Sequence, residues 1–220
     1  MSDDDLGRHL IQEQIQQIEA LARAKPAAPP ALTRLSKSVA DLSRWMITTR
    51  NDMQLERAAE ALQALVGALE IPPQETSRYV DLAPDGNAGP FVNQRSTHPL
   101  VGRSNPVSPA IDVRVVEQRV IGEVTFDARF EGNAGWVHGG FIAAGFDIVA
   151  VLACRLSGRA GPTGTLSIRY VAPTPVGVPL RYEGHFTRKE GRKLFAEVSL
   201  LRADDGALTA KAEAIAICRE

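Results

Sequence analysis

The hydrophobic positions of residues 1–70 recur at spacings of three and four, which is the period of an amphipathic helix. Residues 6–24 predict one short helix, and the prolines within residues 24–30 end it, because proline lacks the amide donor that a helix needs. The same period resumes at Leu32 and breaks at Asn51-Asp52, where an asparagine can cap a new helix. Two further helices are therefore predicted, with hydrophobic positions at Leu35, Val39, Leu42, Trp45, Met46, Leu55, Leu62, Leu65 and Leu69.

The second half of the chain shows a different pattern, in which polar and apolar side chains alternate. A connection rich in Gly, Pro, Asn and Ser comes first, over residues 71–110. Polar and apolar side chains alternate over residues 112–130, and turn residues bound this stretch, which predicts one bent strand or two consecutive strands. Four more strand-like runs are separated by short turns and lie at about 165–172, 179–188, 194–202 and 207–218.

A single helix is predicted between these two groups of strands. Every residue of 141–154 is apolar or glycine except Asp147. The run is too short to span a membrane and too uniformly apolar for a surface helix, so it predicts a buried helix. Strands, one core helix and further strands indicate an α+β fold, in which an antiparallel sheet wraps around the helix.

The composition is that of a globular chain and indicates no particular class of binding partner. The 220 residues are 44% hydrophobic, and 25 Lys+Arg against 26 Asp+Glu give a net charge of -1. No global basic field would hold nucleic acid or an anionic membrane. The N-terminus is acidic where a secretory signal needs bases, and no apolar run reaches the ~18 residues of a membrane span, so a cytoplasmic location is expected. Cys154 and Cys218 belong to no metal-binding pattern, so no metal, disulfide framework or redox cofactor is expected.

Asp147 is the residue that the physical pattern singles out. A carboxylate in the middle of an apolar helix cannot act as a cap, and burial disfavours its charge, so it needs either a partner or a chemical role. One interpretation is a general base in catalysis. The alternative is a structural carboxylate that meets an arginine from the sheet or faces a solvent-filled groove.

The residues before this helix offer a complementary chemistry. A glycine-rich loop ends in Trp136-Val137-His138-Gly139-Gly140 and runs directly into the helix. The free amide N–H groups of a first helical turn lie at the positive end of the helix dipole and can hold a developing oxyanion. The two glycines let a ligand approach the backbone, although glycine also simply starts helices, and His-Gly-Gly alone is a weak motif.

The spacing of these groups predicts a second copy of the chain. Gly139 and Asp147 are eight positions apart, which on one helix is ~12 Å along the axis and ~80° around it. That gap is too long for a single carbonyl and the water that attacks it. If both groups act in one step, the carboxylate comes from a partner whose helix runs antiparallel across a two-fold axis.

Several stretches resemble the hotdog-fold thioesterases of the PaaI-like group. They are EGNAGWVHGGFIAAGFD at 131–147, TGTLSIRYVAPTP at 163–175 and EGRK at 190–193, with GRSNPVSP at 102–109 as a similar lead-in. The resemblance covers roughly residues 99–220, and its most specific part is His-Gly-Gly with an Asp nine positions after the His and a later Tyr-x-x-Pro-x-Pro. It implies a hotdog fold and hydrolysis of acyl-CoA thioesters without a cofactor.

The resemblance also implies roles for individual residues. Gly139 matches the glycine whose amide polarises the thioester carbonyl, and Asp147 matches the acid that activates water or attacks directly. The hydroxyl of Thr163 is expected near that carboxylate, and the part of His138 is expected to be mainly in shaping the loop. The remaining expected contacts with substrate are Gly140, Asn133, Arg192 and Lys193, of which the two cations would approach the CoA phosphates. Some relatives carry an Asn six positions before the His, but Gly132 stands there and Asn133 follows it.

The predicted domain division is a helical extension with its connection over residues 1–95 and a hotdog domain over residues 96–220. The expected partners are the acyl-CoA substrate and further copies of the chain in a homodimer or homotetramer. The extension is expected to serve packing or oligomerisation. An alternative is a non-catalytic acyl-CoA sensor whose helices bind DNA, but residues 1–70 hold eight basic and ten acidic residues and no basic stripe. A non-enzymatic assembly protein is the third possibility.

Overall fold

The computed structural model of the chain describes residues 30–69 and 98–218. These ranges contain three α-helices, α1 (Pro30–Thr48), α2 (Asp52–Gly67) and α3 (Gly139–Arg155), and one 3-10 helix, Ala128–Phe130. The strands are β1 (Asp112–Val116), β2 (Arg119–Thr125), β3 (Thr163–Tyr170), β4 (Pro179–Glu190), β5 (Lys193–Arg202) and β6 (Leu208–Ile217). The predicted helix over residues 6–24 and the predicted domain boundary after residue 95 lie outside the described residues.

All six strands form one antiparallel sheet that curves around α3. The strand order is β1-β2-β4-β5-β6-β3, so β3 follows α3 in sequence but lies at the far edge beside β6. Residues 112–125 form two consecutive strands joined by a tight turn, in which Glu117 has φ 57. The predicted α+β arrangement of an antiparallel sheet around one helix is confirmed.

The core lies between α3 and the concave face of the sheet. Alternate residues of each strand face the helix, which is the expected pattern for a sheet covered on one side. On β5 these are Leu194, Ala196, Val198 and Leu200, and each is at most 2% exposed. The corresponding positions on β6 are all alanine, namely Ala210, Ala212, Ala214 and Ala216. Small side chains on this strand let the helix lie close to the sheet.

Two glycines mark the closest approach between helix and sheet. A Cβ atom on Gly145 of α3 would overlap the ring of Tyr182, which lies on β4. A Cβ atom on Gly184 of β4 would lie 2.6 Å from Val149 of α3. Since real Cβ atoms do not approach other atoms so closely, these two positions require glycine at the observed separation.

The helices α1 and α2 form the extension before the domain, as the pattern predicts. The side chain of Asn51 accepts a hydrogen bond from the Gln54 N–H at 3.1 Å, which confirms the predicted cap of α2. No residue of α2 is buried, whereas Ser36 of α1 is. None of the helices in the described ranges combines the length and apolar character needed to cross a membrane.

Polar contacts attach α1 to the domain around the 3-10 helix. Asp127 accepts hydrogen bonds from the Arg129 backbone and guanidinium, and Arg44 of α1 lies 3.4 Å from the same carboxylate. Burial alone would raise the pKa of Asp127, but the bonds from Arg129 outweigh it and hold the pKa below its ordinary value. Thr33 and Ser104 add a second contact through their hydroxyls, at 3.2 Å.

Candidate active site

The loop before α3 is held in place by backbone hydrogen bonds to its neighbours. The Val137 N–H donates to the carbonyl of Thr174 at 2.8 Å, and the His138 N–H donates to that of Phe130 at the same distance. Both bonds lie directly before the first turn of α3. The start of the helix therefore has a fixed position relative to the sheet.

His138 is the N-cap of α3 and satisfies part of its first turn. Its Nδ1 accepts a hydrogen bond from the Gly140 N–H at 3.0 Å, and its carbonyl accepts one from the Phe141 N–H at 3.0 Å. Among the described residues, none accepts a hydrogen bond from the Gly139 N–H. Of the two glycines that the sequence singled out, Gly139 is thus the one whose amide is open to a ligand.

Gly132 and Asn133 belong to the same loop but differ in what they do. A Cβ atom on Gly132 would lie 2.9 Å from the backbone of His138, so a side chain such as the Asn of some relatives does not fit there. The carbonyl of Asn133 accepts a hydrogen bond from the Trp136 N–H at 2.8 Å, and its side chain is exposed. The structure therefore places Asn133 on the loop surface and explains the glycine before it.

Asp147 lies in the middle of α3 and is held by a hydroxyl of the sheet. Its neighbours Phe146 and Ile148 are buried, whereas Asp147 itself is half-buried. The hydroxyl of Thr163, at the start of β3, donates to Oδ1 of Asp147 at 2.6 Å. In the part of the chain that the structure describes, no ion pair involves Asp147. The alternative of an arginine partner within the same chain is thus not found there.

A single chain keeps the two predicted catalytic groups apart. Gly139 and Asp147 lie eight positions apart on one regular helix, so their backbone separation remains ~12 Å along the axis. The Thr163 hydroxyl is at the Asp147 end of this gap. The chain thus brings Asp147 together with Thr163, and His138 together with Gly139 and Gly140, but does not join the two groups.

Arg192 and Lys193 lie near the opposite end of α3 from its first turn. They stand at the turn between β4 and β5, where Cys154 in the last turn of the helix donates through Sγ to the Leu194 carbonyl at 3.6 Å. The Arg192 side chain donates to the Cys218 carbonyl at 3.1 Å and so holds the end of β6. Because α3 has 17 residues, ~25 Å separates this turn from the start of the helix.

Sequence reasoning gave no role to two tyrosines that contact the first half of α3. The hydroxyl of Tyr170 donates to the Gly139 carbonyl at 2.9 Å, and that of Tyr182 donates to the Ile142 carbonyl at 3.2 Å. Burial raises the pKa of Tyr182, so its hydroxyl stays protonated and acts as a donor. The Tyr-x-x-Pro-x-Pro motif, which begins at Tyr170, was the signal that could have pointed to the first of these contacts.

Comparisons with known proteins agree with this architecture. Residues 134–209 match the family described as thioesterase superfamily. The acyl-coenzyme A thioesterase THEM4 of Mus musculus is 30% identical over 102 residues, which are 46% of this chain and 44% of that protein. The same protein of Rattus norvegicus is 32% identical over 101 residues, with the same shares of each chain. This chain therefore spans less than half the length of these curated relatives.

A solved structure extends the similarity beyond the matched segment. The crystal structure of a thioesterase superfamily protein has a TM-score of 0.72 and 29% identity to this chain, covering 88% of this chain and 97% of that one. The segment that the family match covers includes α3, the strands β3, β4 and β5, and the start of β6. On these grounds, residues 98–218 form a domain with the hotdog fold, and residues 134–209 within it are similar to the thioesterase superfamily.

Proposed function

We propose that this chain hydrolyses the thioester bond of a fatty or aromatic acyl-CoA and releases the free acid and CoA. The observation that carries the proposal is the pair of groups on α3, the open amide of Gly139 and the carboxylate of Asp147 held by Thr163. The first is a donor for a developing oxyanion, and the second is a base or nucleophile. The reaction is also the one named for the mouse and rat relatives.

The proposed chemistry uses each group at one atom of the substrate. The thioester carbonyl oxygen accepts a hydrogen bond from the Gly139 N–H, where the dipole of α3 adds to the stabilisation of the oxyanion. Asp147 of the partner subunit either takes a proton from the water that adds to the carbonyl carbon or attacks that carbon itself. In the first route the proton taken by Asp147 passes to the sulfur as the carbon–sulfur bond breaks, and the CoA thiol leaves. In the second route the thiolate leaves as an anhydride forms between the acyl group and Asp147. Water then cleaves the anhydride, which releases the acid, restores the carboxylate and gives a proton to the thiolate.

A second copy of the chain is part of the proposal because one chain separates the two groups. Among the described strands, β3 pairs with β6 alone, so none of them occupies the N–H and C=O groups of its other edge, which could pair with a strand of another copy. The same strand begins with Thr163, the partner of Asp147. Pairing along this edge in a homodimer would bring two α3 helices side by side, with a homotetramer as a further assembly.

The remaining predicted residues have places in this arrangement. Gly140 and Asn133 belong to the loop and first turn that would receive the thioester, and His138 holds that turn. If two α3 helices run antiparallel with Gly139 of one beside Asp147 of the other, the carboxyl end of each extends ~12 Å beyond the start of its partner. Arg192 and Lys193 of one subunit would then approach the site that begins at the other's Gly139, where cations suit the phosphates of CoA.

The experiment that tests the function is a thiol-release assay on the purified chain with a panel of aliphatic and aromatic acyl-CoAs. Wild-type protein should release CoA, and Asp147→Asn should lower kcat by at least about 100-fold, since it removes the base or nucleophile. The variant should keep the wild-type circular dichroism spectrum, because Asn has nearly the same volume.

A matched control tests the same change at a carboxylate outside the site. Asp204 lies in the turn between β5 and β6, and Asp204→Asn should leave kcat unchanged. Full turnover by Asp147→Asn would contradict the assigned role. Tight binding of acyl-CoA without any release by the wild type would favour the sensor over the enzyme.

A further inference from the structure

Two hydrogen bonds meet on the peptide group between Gly139 and Gly140. Its carbonyl, which belongs to Gly139, accepts a hydrogen bond from the Tyr170 hydroxyl at 2.9 Å. Its N–H, which belongs to Gly140, donates to Nδ1 of His138 at 3.0 Å. A continuous series of hydrogen bonds therefore runs from Tyr170 at the end of β3, through one peptide group, to the imidazole of His138, which caps α3.

This series of hydrogen bonds fixes which nitrogen of His138 carries the proton. Because Nδ1 accepts a hydrogen bond, the neutral ring holds its proton on Nε2, which becomes a donor. The ring is also confined by its surroundings, since Gly132 packs against it and Phe141 lies edge-on with 6.2 Å between the ring centroids. The residue is exposed and its Nδ1 is occupied by the Gly140 amide, so Nε2 is the ring nitrogen left for a ligand.

The hydroxyl of Tyr170 strengthens the hydrogen bond from the Gly140 N–H to His138. It does not act on the open N–H of Gly139. A donor to a peptide carbonyl polarises the N–H of the same peptide group, and here that N–H belongs to Gly140. The open N–H of Gly139 belongs to the preceding peptide. Tyr170 is 52% exposed, so filling the core does not account for its hydroxyl.

We propose that Tyr170 is a positioning residue that acts through the 139–140 peptide on His138 and keeps its imidazole in the Nε2-protonated form. His138 then stands beside the Gly139 amide as a second hydrogen-bond donor and not as a base. The kinetic consequence rests on the proposed thioesterase function, whereas the proton position and the strength of the Gly140 bond do not.

Tyr182 supplies a matched control for this proposal. It is fully buried and its hydroxyl donates to the carbonyl of Ile142, which is also in the first half of α3 but does not belong to the 139–140 peptide. Tyr182→Phe removes a tyrosine hydroxyl that donates to the same helix, without changing the series of hydrogen bonds that ends at His138. A general loosening of α3 would affect both variants, whereas the proposed relay affects Tyr170→Phe alone.

The test compares wild type, Tyr170→Phe and Tyr182→Phe by NMR. Imidazole ¹⁵N shifts should show the Nε2-protonated form of His138 in the wild type. In Tyr170→Phe these shifts should move toward the average of the two neutral forms, and the Gly140 amide should exchange with solvent several-fold faster. His98 is an internal reference, because its Nδ1 accepts from the Leu100 and Val101 amides and should not change.

Kinetics on the same proteins separate this proposal from the proposed function. Tyr170→Phe should lower kcat about threefold to tenfold with KM within about twofold, the effect of one weakened hydrogen bond. Unchanged His138 shifts and Gly140 exchange in Tyr170→Phe would overturn the positioning role, as would a His138 protonated on Nδ1 in the wild type. NMR changes as expected, without acyl-CoA turnover by any of the proteins, would support the positioning role and contradict the thioesterase.

Discussion

At the scale of single residues, the backbone amides of the two glycines in the first turn of α3 have different roles. The Gly140 amide is used by His138, whereas the Gly139 amide has no acceptor among the described residues. Proline removes the amide hydrogen and suits the first position of a helix. The residue before it must be extended, and His138 already is, with φ -61 and ψ 131.

Gly139→Pro should therefore abolish the donor while the helix still begins at the same residue. We expect kcat to fall at least about 100-fold, the usual cost of losing an oxyanion donor, with an unchanged circular dichroism spectrum. Gly139→Ala is the control, because it adds a Cβ atom 3.2 Å from the Tyr170 hydroxyl but keeps the N–H. Equal losses of kcat in the two variants would show that crowding, not the donor, is responsible.

The residues of the site differ in how far sequence could predict them. Gly139 and Asp147 follow from one continuous pattern, a glycine pair that starts an apolar helix with one carboxylate. Thr163 came from the resemblance, and the structure places its hydroxyl on that carboxylate. The Tyr-x-x-Pro-x-Pro motif marked Tyr170 but not its partner, because the contact with Gly139 depends on β3 lying beside β6, and the two residues are 31 positions apart.

At the scale of elements, the period of the hydrophobic pattern predicted most of what the structure shows. The strands β3 to β6 begin and end within about two residues of their predicted limits, since polar and apolar side chains alternate along them. The 3-10 helix Ala128–Phe130 was not predicted, because three residues are too few to show a period. The strand order was also beyond the pattern, which specifies the faces of strands but not their neighbours.

The contact between α3 and β4 is the element-scale feature most sensitive to a single atom. Gly145 lies against the ring of Tyr182, and no Cβ atom fits between them. Gly145→Ala should therefore push α3 away from the sheet and lower the free energy of unfolding by about 1–3 kcal/mol. Gly67→Ala in α2 is the matched control, because a Cβ atom there meets nothing within 4 Å. Urea unfolding followed by circular dichroism measures both, and equal stability of the two variants would contradict the packing argument.

At the scale of the whole molecule, the chain presents an incomplete site at an open edge. The proposed oxyanion donor lies at the start of α3, the proposed base or nucleophile lies halfway along it, and the cations Arg192 and Lys193 lie near its far end. An antiparallel second helix could bring Asp147 of one chain beside Gly139 of the other, and the edge of β3 that no described strand occupies offers a place for the second copy. The symmetry of such a dimer gives two identical sites, each built from both chains.

Two inactive variants should therefore restore activity when they share a dimer. A chain with Asp147→Asn and a chain with Gly139→Pro can be coexpressed with different affinity tags and the mixed dimer purified through both. One of its two sites then combines an intact Gly139 with an intact Asp147, and the other site has lost both groups. We expect kcat per mixed dimer of about half the wild-type value, while each parent homodimer stays at about 1% or less. A mixed dimer as inactive as its parents would show that both groups act within one chain.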